Sequence, residues 1–147
     1  MLRTELTHPG VLELLAQCGH GDSIAIVDSN YPAQARRSRN VPIISLNITH
    51  NVPTTPMIVD LISQTIPLEN YVLPLPPEEV SSRIPREVHE EIRGAVTLHN
   101  PLAKTATVAP ADFYELTTAP GLALMIVAGE RRHYGSVLLT VGYLPEL

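Results

Sequence analysis

The sequence has one cysteine, one phenylalanine and no tryptophan among its 147 residues. The single thiol, Cys18, cannot form a disulfide within the chain. No run approaches the roughly 18 apolar residues of a membrane-spanning helix, and no basic segment followed by an apolar one opens the chain. We therefore expect a soluble protein of the cytoplasm that does not enter a membrane.

Positive charge and nucleotide-binding motifs are also missing. The net charge is −5, and Arg36, Arg37 and Arg39 form only a short basic cluster. Nucleic-acid binding needs an extended basic surface, so this class of partner is not expected. The sequence contains no phosphate-binding glycine loop, no G-x-G-x-x-G, no C-x-x-C and no G-x-S-x-G, and we expect no cofactor.

The residues that are present indicate one globular α/β domain over 1–147. Apolar residues make up 44% of the chain, and the 14 prolines are dispersed rather than clustered. The near-continuous apolar run Ile24–Val27 is typical of a strand covered on both faces, as in a mixed sheet flanked by helices. Further strands are predicted near 42–48, 71–73, 104–109, 121–127 and 137–141, and helices at 9–18, 54–65, 86–98 and after Pro110.

The stretch Cys18–Pro32 places a titratable residue at each end of this strand. Thr7 is a candidate cap for the preceding helix, and Gly19 fits the left-handed residue after its last turn. His20 then follows the helix, either as an exposed loop residue or as an acid–base group. Asp28 closes the strand, either capping the following turn or accepting hydrogen bonds from ligand hydroxyls.

These two residues cannot meet along a straight strand. Four strand residues alone separate its ends by roughly 13 Å. His20 and Asp28 can therefore share a site only if the glycine-flanked loop curls back, or if a neighbouring subunit supplies its own copy.

The connection Gly129–Ser136 between the last two strands is the second candidate region. It is too long for a tight hairpin and rich in polar groups, and loops held on a sheet commonly carry binding residues. Tyr134 offers a flat face and a hydroxyl, and Gly135 allows the backbone to approach a ligand. Glu130 with Arg131 or Arg132 is interpreted as a solvated ion pair.

The remaining histidines and aromatic residues suggest no separate site. His89 and His99 are ten residues apart, do not share a helical face at ligand spacing, and are interpreted as surface residues. Phe113 is predicted to lie in the core, and Tyr71 either in the core or beside a pocket, with the core favoured. A metal site would require the residues His20, Asp22, Asp28, His50 and His133 to converge, and their spacing fits no ligand pattern, so no metal is expected.

Four segments together resemble the ribose pyranase / fucose mutarotase family. They are Gly19-His20-Gly21-Asp22, the strand end from Asp28 to Ala33, Phe113-Tyr114-Glu115, and Gly129-Glu130-Arg131 with Tyr134-Gly135. The resemblance covers nearly the whole chain, and the G-H-G-D and F-Y-E segments favour the fucose branch.

The resemblance implies a mixed-sheet α/β fold in a ring-shaped homo-oligomer, often a decamer, with sites near subunit interfaces. It assigns the catalytic role to His20 and sugar binding to Asp28, Tyr134, Gly135 and Ser136. Two positions depart from the family pattern. Ser136 replaces an asparagine, and Pro110 replaces a sugar-contacting Arg or His, whose role Asp112 could take over.

The sequence therefore predicts a cofactor-free monosaccharide mutarotase acting on L-fucose or a related sugar. A non-catalytic sugar-binding or transport-accessory protein on the same scaffold is the alternative, and proline in place of Arg or His at position 110 favours it. A metal-dependent hydrolase is the third class, and it would require a bound metal.

Overall fold

The computed structural model describes residues 1–38 and 40–146, so Arg39 of the predicted basic cluster lies outside the described residues. Six strands pair into one sheet in the order β2-β5-β1-β6-β3-β4. Their bounds are β1 Ser23–Val27, β2 Ile43–Ser45, β3 Leu68–Pro74, β4 Lys104–Val108, β5 Leu122–Val127 and β6 Val137–Val141.

The sheet is mixed because β6 alone among these strands runs against its neighbours. β1 pairs parallel with β5, and β5 parallel with β2. β6 pairs antiparallel with both β1 and β3, while β3 and β4 are parallel. The carboxyl ends of five strands and the start of β6 therefore lie at one edge of the sheet, which we call the carboxyl edge.

Helices cover both faces of this sheet, as predicted. The helices are α1 Pro9–Gln17, α2 Ala33–Arg36, α3 Thr55–Thr65, α4 Glu78–Ser81, α5 Glu87–His99 and α6 Pro110–Leu116. Ile24 and Ile26 belong to a core with α1, α3 and α5, whereas Ala25 and Val27 belong to a second core with α2 and α6. Successive strand residues point to opposite faces, so the two cores lie on opposite sides of β1.

The central position of β1 confirms the interpretation of its apolar run. Ile24, Ala25, Ile26 and Val27 are all fully buried. A strand with helices on both faces needs apolar residues at every position rather than at alternate ones. The chain is thus a single-domain α/β fold, in which Tyr71 and Phe113 are buried as predicted.

Side chains of the preceding residues cap the first turns of α1 and α3. The Thr54 hydroxyl accepts a hydrogen bond from the Met57 amide and caps α3. The cap of α1 is His8, whose Nδ1 accepts from the Val11 amide, and not Thr7, because Pro9 is already the first helical residue. The left-handed residue after α1 is Gly21, with φ of +88°, rather than Gly19.

No helix in the described part of the chain is both long and apolar enough to span a membrane.

Candidate functional site

A cavity of about 250 Å³ opens at the carboxyl edge of the sheet. Ligands of open α/β sheets commonly bind at this edge. The cavity is lined by Asp28, Asn30, Tyr31, Pro74, Pro110, Phe113, Tyr114, His133, Tyr134 and Ser136. Three of the residues predicted to bind substrate, Asp28, Tyr134 and Ser136, thus surround one space.

The strand order explains why these distant residues meet. β1 lies between β5 and β6, so the connection from β5 to β6 must pass the carboxyl end of β1. This connection is the loop of residues 129–136, which we call the site loop. Asp28 directly follows β1 and Ser136 directly precedes β6. The antiparallel direction of β6 therefore brings the end of the site loop beside Asp28.

Asp28 is buried and held on both oxygens. Oδ1 accepts from the Asn30 amide at 2.9 Å, so the predicted turn cap is present. Oδ2 accepts from the Ser136 hydroxyl at 2.7 Å, and Ser136 Oγ in turn accepts from the Asp28 amide at 2.9 Å. Burial raises the pKa of Asp28, and the hydrogen bonds from Ser136 and Asn30 offset part of that rise.

Aromatic side chains form one wall of the cavity. The rings of Tyr31 and Tyr114 lie 5.4 Å apart at 42°. The Tyr31 hydroxyl hydrogen-bonds the buried Thr117 hydroxyl at 2.6 Å, and the Arg36 guanidinium lies 4.1 Å from the centre of the Tyr114 ring. These contacts hold the two aromatic rings in place, and aromatic ring faces can stack on an apolar ligand face.

The site loop is anchored by an ion pair whose carboxylate is buried, which corrects the prediction of a solvated pair. Glu130 is fully buried, and its two oxygens accept from the Arg132 guanidinium at 2.9 Å each. Arg132 also reaches Glu91 on α5, at 2.8 and 2.9 Å. Burial acts to raise the pKa of Glu130, but the hydrogen bonds and charge of Arg132 outweigh it, and the pKa lies below its usual value.

Gly135 is required by close packing against this ion pair. A Cβ atom there would lie 2.7 Å from Glu130 Cγ and 2.9 Å from the Arg132 carbonyl oxygen. The residue does not line the cavity. Within this chain the glycine therefore allows the loop to fold onto Glu130, and a direct backbone approach of Gly135 to a ligand stays a prediction.

His89 is buried, so the prediction of a surface residue is wrong. Only 2% of the residue is exposed, and its Nε2 lies 2.8 Å from the carbonyl oxygen of Tyr134. His99, in contrast, is exposed as predicted and pairs with Asp60 at 2.9 Å. The helical pattern alone did not reveal that the site loop covers the first turn of α5.

His20 lies at the opposite edge of the sheet, before β1. Its side chain is 57% exposed, and Nε2 is 2.8 Å from Glu69 Oε2. The ring also packs edge-to-face on Tyr143, with centroids 5.4 Å apart. The five residues of β1 separate this histidine from Asp28 by about 16 Å. The glycine-flanked loop does not curl back, so one chain does not bring the two residues together.

The two departures from the family pattern have clear positions. Ser136 holds Asp28 as described above, and Pro110 forms part of the cavity wall at the start of α6. Asp112 is exposed and is not among the lining residues, whereas His133 is. Within residues 1–38 and 40–146, no group of three or more His, Cys, Asp or Glu residues could hold a metal ion.

Fold and cavity together describe an α/β protein with a cavity of about 250 Å³ at the carboxyl edge of its sheet. The chain matches the RbsD / FucU transport protein family over residues 1–144. It therefore belongs to that family.

Solved structures of known proteins share the fold. RbsD of Bacillus subtilis in complex with D-ribose is 19% identical, covers 99% of this chain and 100% of its own, and superimposes with a TM-score of 0.80. FucU of Bifidobacterium longum is 20% identical over 95% of this chain and 97% of its own, with a TM-score of 0.77. The fucose mutarotase of Streptococcus pneumoniae in complex with L-fucose is 23% identical over 94% of each chain, with a TM-score of 0.76.

Proposed function

We propose that this protein interconverts the anomers of a monosaccharide, L-fucose or a related sugar, without a cofactor. The observation that carries the proposal is the cavity at the carboxyl edge, where a buried carboxylate faces aromatic and polar walls. Its volume of about 250 Å³ lies just below the range for drug-sized ligands and suits a smaller one. Family membership supports a sugar, since two similar structures hold D-ribose and L-fucose.

The reaction needs only proton transfers. A base removes the proton of the anomeric hydroxyl while an acid protonates the ring oxygen, and the bond between the anomeric carbon and the ring oxygen breaks. The open chain rotates and recloses on the other face, and both protons return. Positioned acid–base groups typically accelerate such steps 10²–10⁴-fold, so a modest site is sufficient.

Asp28 is proposed to hold sugar hydroxyls. Each of its oxygens accepts one hydrogen bond from the chain, at Asn30 and Ser136. A carboxylate oxygen has capacity for a second, so both can still accept from a ligand. In this proposal Ser136 aims Asp28, and Tyr134 and Gly135 complete the binding loop.

His20 is proposed as the acid–base group, delivered by a second copy of the chain. Its Nε2 faces Glu69, which leaves Nδ1 as the nitrogen able to exchange a proton with the sugar. Because His20 and Asp28 lie at opposite ends of β1, the proposal requires a homo-oligomer with sites at its interfaces. The resemblance suggests a ring, often a decamer, and the expected location is the cytoplasm.

His133, rather than Asp112, is proposed to bind the sugar where Pro110 offers no polar side chain. His133 lines the same cavity and has a ring that can donate or accept a hydrogen bond. Asp112 is exposed and outside the lining. The preference for fucose rests on the G-H-G-D and F-Y-E segments.

A non-catalytic sugar-binding protein is the second candidate. Pro110 in the cavity wall favours it, since proline offers neither a charge nor a side-chain hydrogen bond where the family pattern has Arg or His.

A panel of monosaccharides tested for anomer exchange by saturation-difference NMR separates these candidates. A mutarotase accelerates exchange for at least one sugar in proportion to protein concentration. Binding of a sugar in the same panel, seen by line broadening or calorimetry without any gain in exchange rate, would favour the second candidate and contradict the first.

A further inference from the structure

Tyr134 holds an unusual backbone conformation at the cavity wall. Its φ is +60°, in the left-handed region that a residue with a Cβ seldom adopts. Such a conformation costs of order 1–3 kcal/mol and persists only where neighbouring groups hold it. The site loop must therefore contain or contact groups that keep Tyr134 in place.

His89 supplies one such contact from behind the loop. It is the third residue of α5, and its Nε2 lies 2.8 Å from the Tyr134 carbonyl oxygen. A carbonyl oxygen can only accept a hydrogen bond, so Nε2 must carry the proton. His89 Nδ1 is then the unprotonated nitrogen, and it is buried with no hydrogen-bond partner among the described residues.

The surroundings of His89 keep its imidazole ring uncharged. Burial lowers the pKa of the imidazole, and the positive charges of Arg93 and Arg86 lower it further. The bond to the Tyr134 carbonyl and the charge of Glu90 offset only part of this. The neutral ring therefore donates from Nε2 to the Tyr134 carbonyl and leaves Nδ1 unprotonated.

Core packing does not require a histidine at this position. Val88, Ile92 and Val96 already form the buried stripe of α5. A buried ring nitrogen without a partner costs about 1–3 kcal/mol, which an apolar side chain would avoid. We propose that His89 is a positioning residue, which holds Tyr134 in its left-handed conformation and so sets one wall of the cavity. The effect of His89 on catalysis rests on the proposed function, whereas its effect on the conformation of Tyr134 does not.

Two variants of similar length separate the donor from the packing. His89→Gln keeps an N–H group at the reach of Nε2, whereas His89→Met removes it. In His89→Met we expect the backbone amide NMR signals of 133–135 to shift and KM for the sugar to rise about 3–10-fold, as for the loss of one hydrogen bond. We expect kcat to change by less than about twofold, because His89 is not among the residues that line the cavity. His89→Gln should resemble the wild type.

Several outcomes decide the proposal. If His89→Gln and His89→Met have the same loop signals and the same KM, the positioning role is wrong and His89 is only a packing residue. Should His89→Met not fold, His89→Asn replaces it, because its shorter amide does not reach Tyr134 and should show the same change. Glu87→Gln, a change at an exposed residue in the same turn of α5, is the control and should leave loop signals and KM unchanged.

The experiment also separates this proposal from the proposed function. If the wild type accelerates exchange for no sugar, mutarotation is contradicted, and the amide signals of the two His89 variants still test the contact with Tyr134.

Discussion

The titratable residues at the two ends of β1 differ in burial and in the number of hydrogen bonds that they make within one chain. At the carboxyl end, Asp28 is buried and both of its oxygens are already held by Asn30 and Ser136. At the amino end, His20 is largely exposed and has a single carboxylate partner, Glu69. One chain therefore preforms the surroundings of Asp28, whereas His20 keeps an exposed ring with one charged partner.

The largest effect is expected from the exposed end. His20→Ala should remove the acceleration of anomer exchange, a reduction of 10²–10⁴-fold, because it deletes the proposed acid–base group. The melting temperature should stay within a degree or two, because more than half of this side chain contacts solvent. Saturation-difference NMR measures the rate and calorimetry the stability. Exchange at the wild-type rate would show that the assignment of His20 is wrong.

A medium effect is expected at the preformed end. Gly135→Ala places a methyl group 2.7 Å from Glu130 Cγ and 2.9 Å from a backbone oxygen. Overpacking of this kind costs about 1–3 kcal/mol, so the melting temperature should fall by several degrees.

Gly94→Ala is the matched control for this change. Its Cβ would meet nothing within 4 Å inside α5. Replacing a mid-helix glycine by alanine stabilises by about 0.5–1 kcal/mol, so this variant should melt slightly higher. Equal melting temperatures for the two variants would contradict the close packing described for Gly135.

The smallest effect is expected in the pH dependence of folding stability. Ionisation of the two buried carboxylates at the carboxyl end changes that stability in opposite directions. The pKa of Glu130 is lowered from 4.5, so its contribution to stability is present above that value and is lost as the pH falls below it. The pKa of Asp28 is raised from 3.8, so its contribution falls as the pH rises above that value. The two dependences partly cancel.

Melting temperatures between about pH 3 and pH 7 test this cancellation. Glu130→Gln should leave a protein whose stability falls as the pH rises from 3.8, and Asp28→Asn one whose stability falls as the pH drops below 4.5. If both variants kept the wild-type profile, neither carboxylate would be titrating as described.

Local rules predicted the parts of this molecule that depend on neighbours in sequence. The apolar run of β1 and the turn cap by Asp28 each need only a few adjacent residues, and the structure contains both. The mixed sheet flanked by helices followed from the same run, and the family followed from four short segments in order.

The parts that were missed depend on contacts between distant segments. Glu130 and His89 looked like surface residues because charged and ionisable side chains usually face water. Each lies against a segment that is tens of residues away in sequence. Glu130 contacts the start of α3 at Thr55, and His89 contacts Tyr134 of the site loop. A clue was present in Gly135, since a glycine beside polar residues can mark close packing as well as a ligand.

The position of His20 and Asp28 at opposite ends of one strand has a consequence for assembly. If the histidine of one copy serves the cavity of the next, the contact joins two different surfaces, and every copy carries one of each. Such a head-to-tail contact leaves unpaired surfaces on the outer copies unless the assembly closes on itself. A closed ring would then contain as many complete sites as chains, whereas an isolated copy would contain none. Dilution below the dissociation constant of the ring would therefore abolish activity without unfolding the protein.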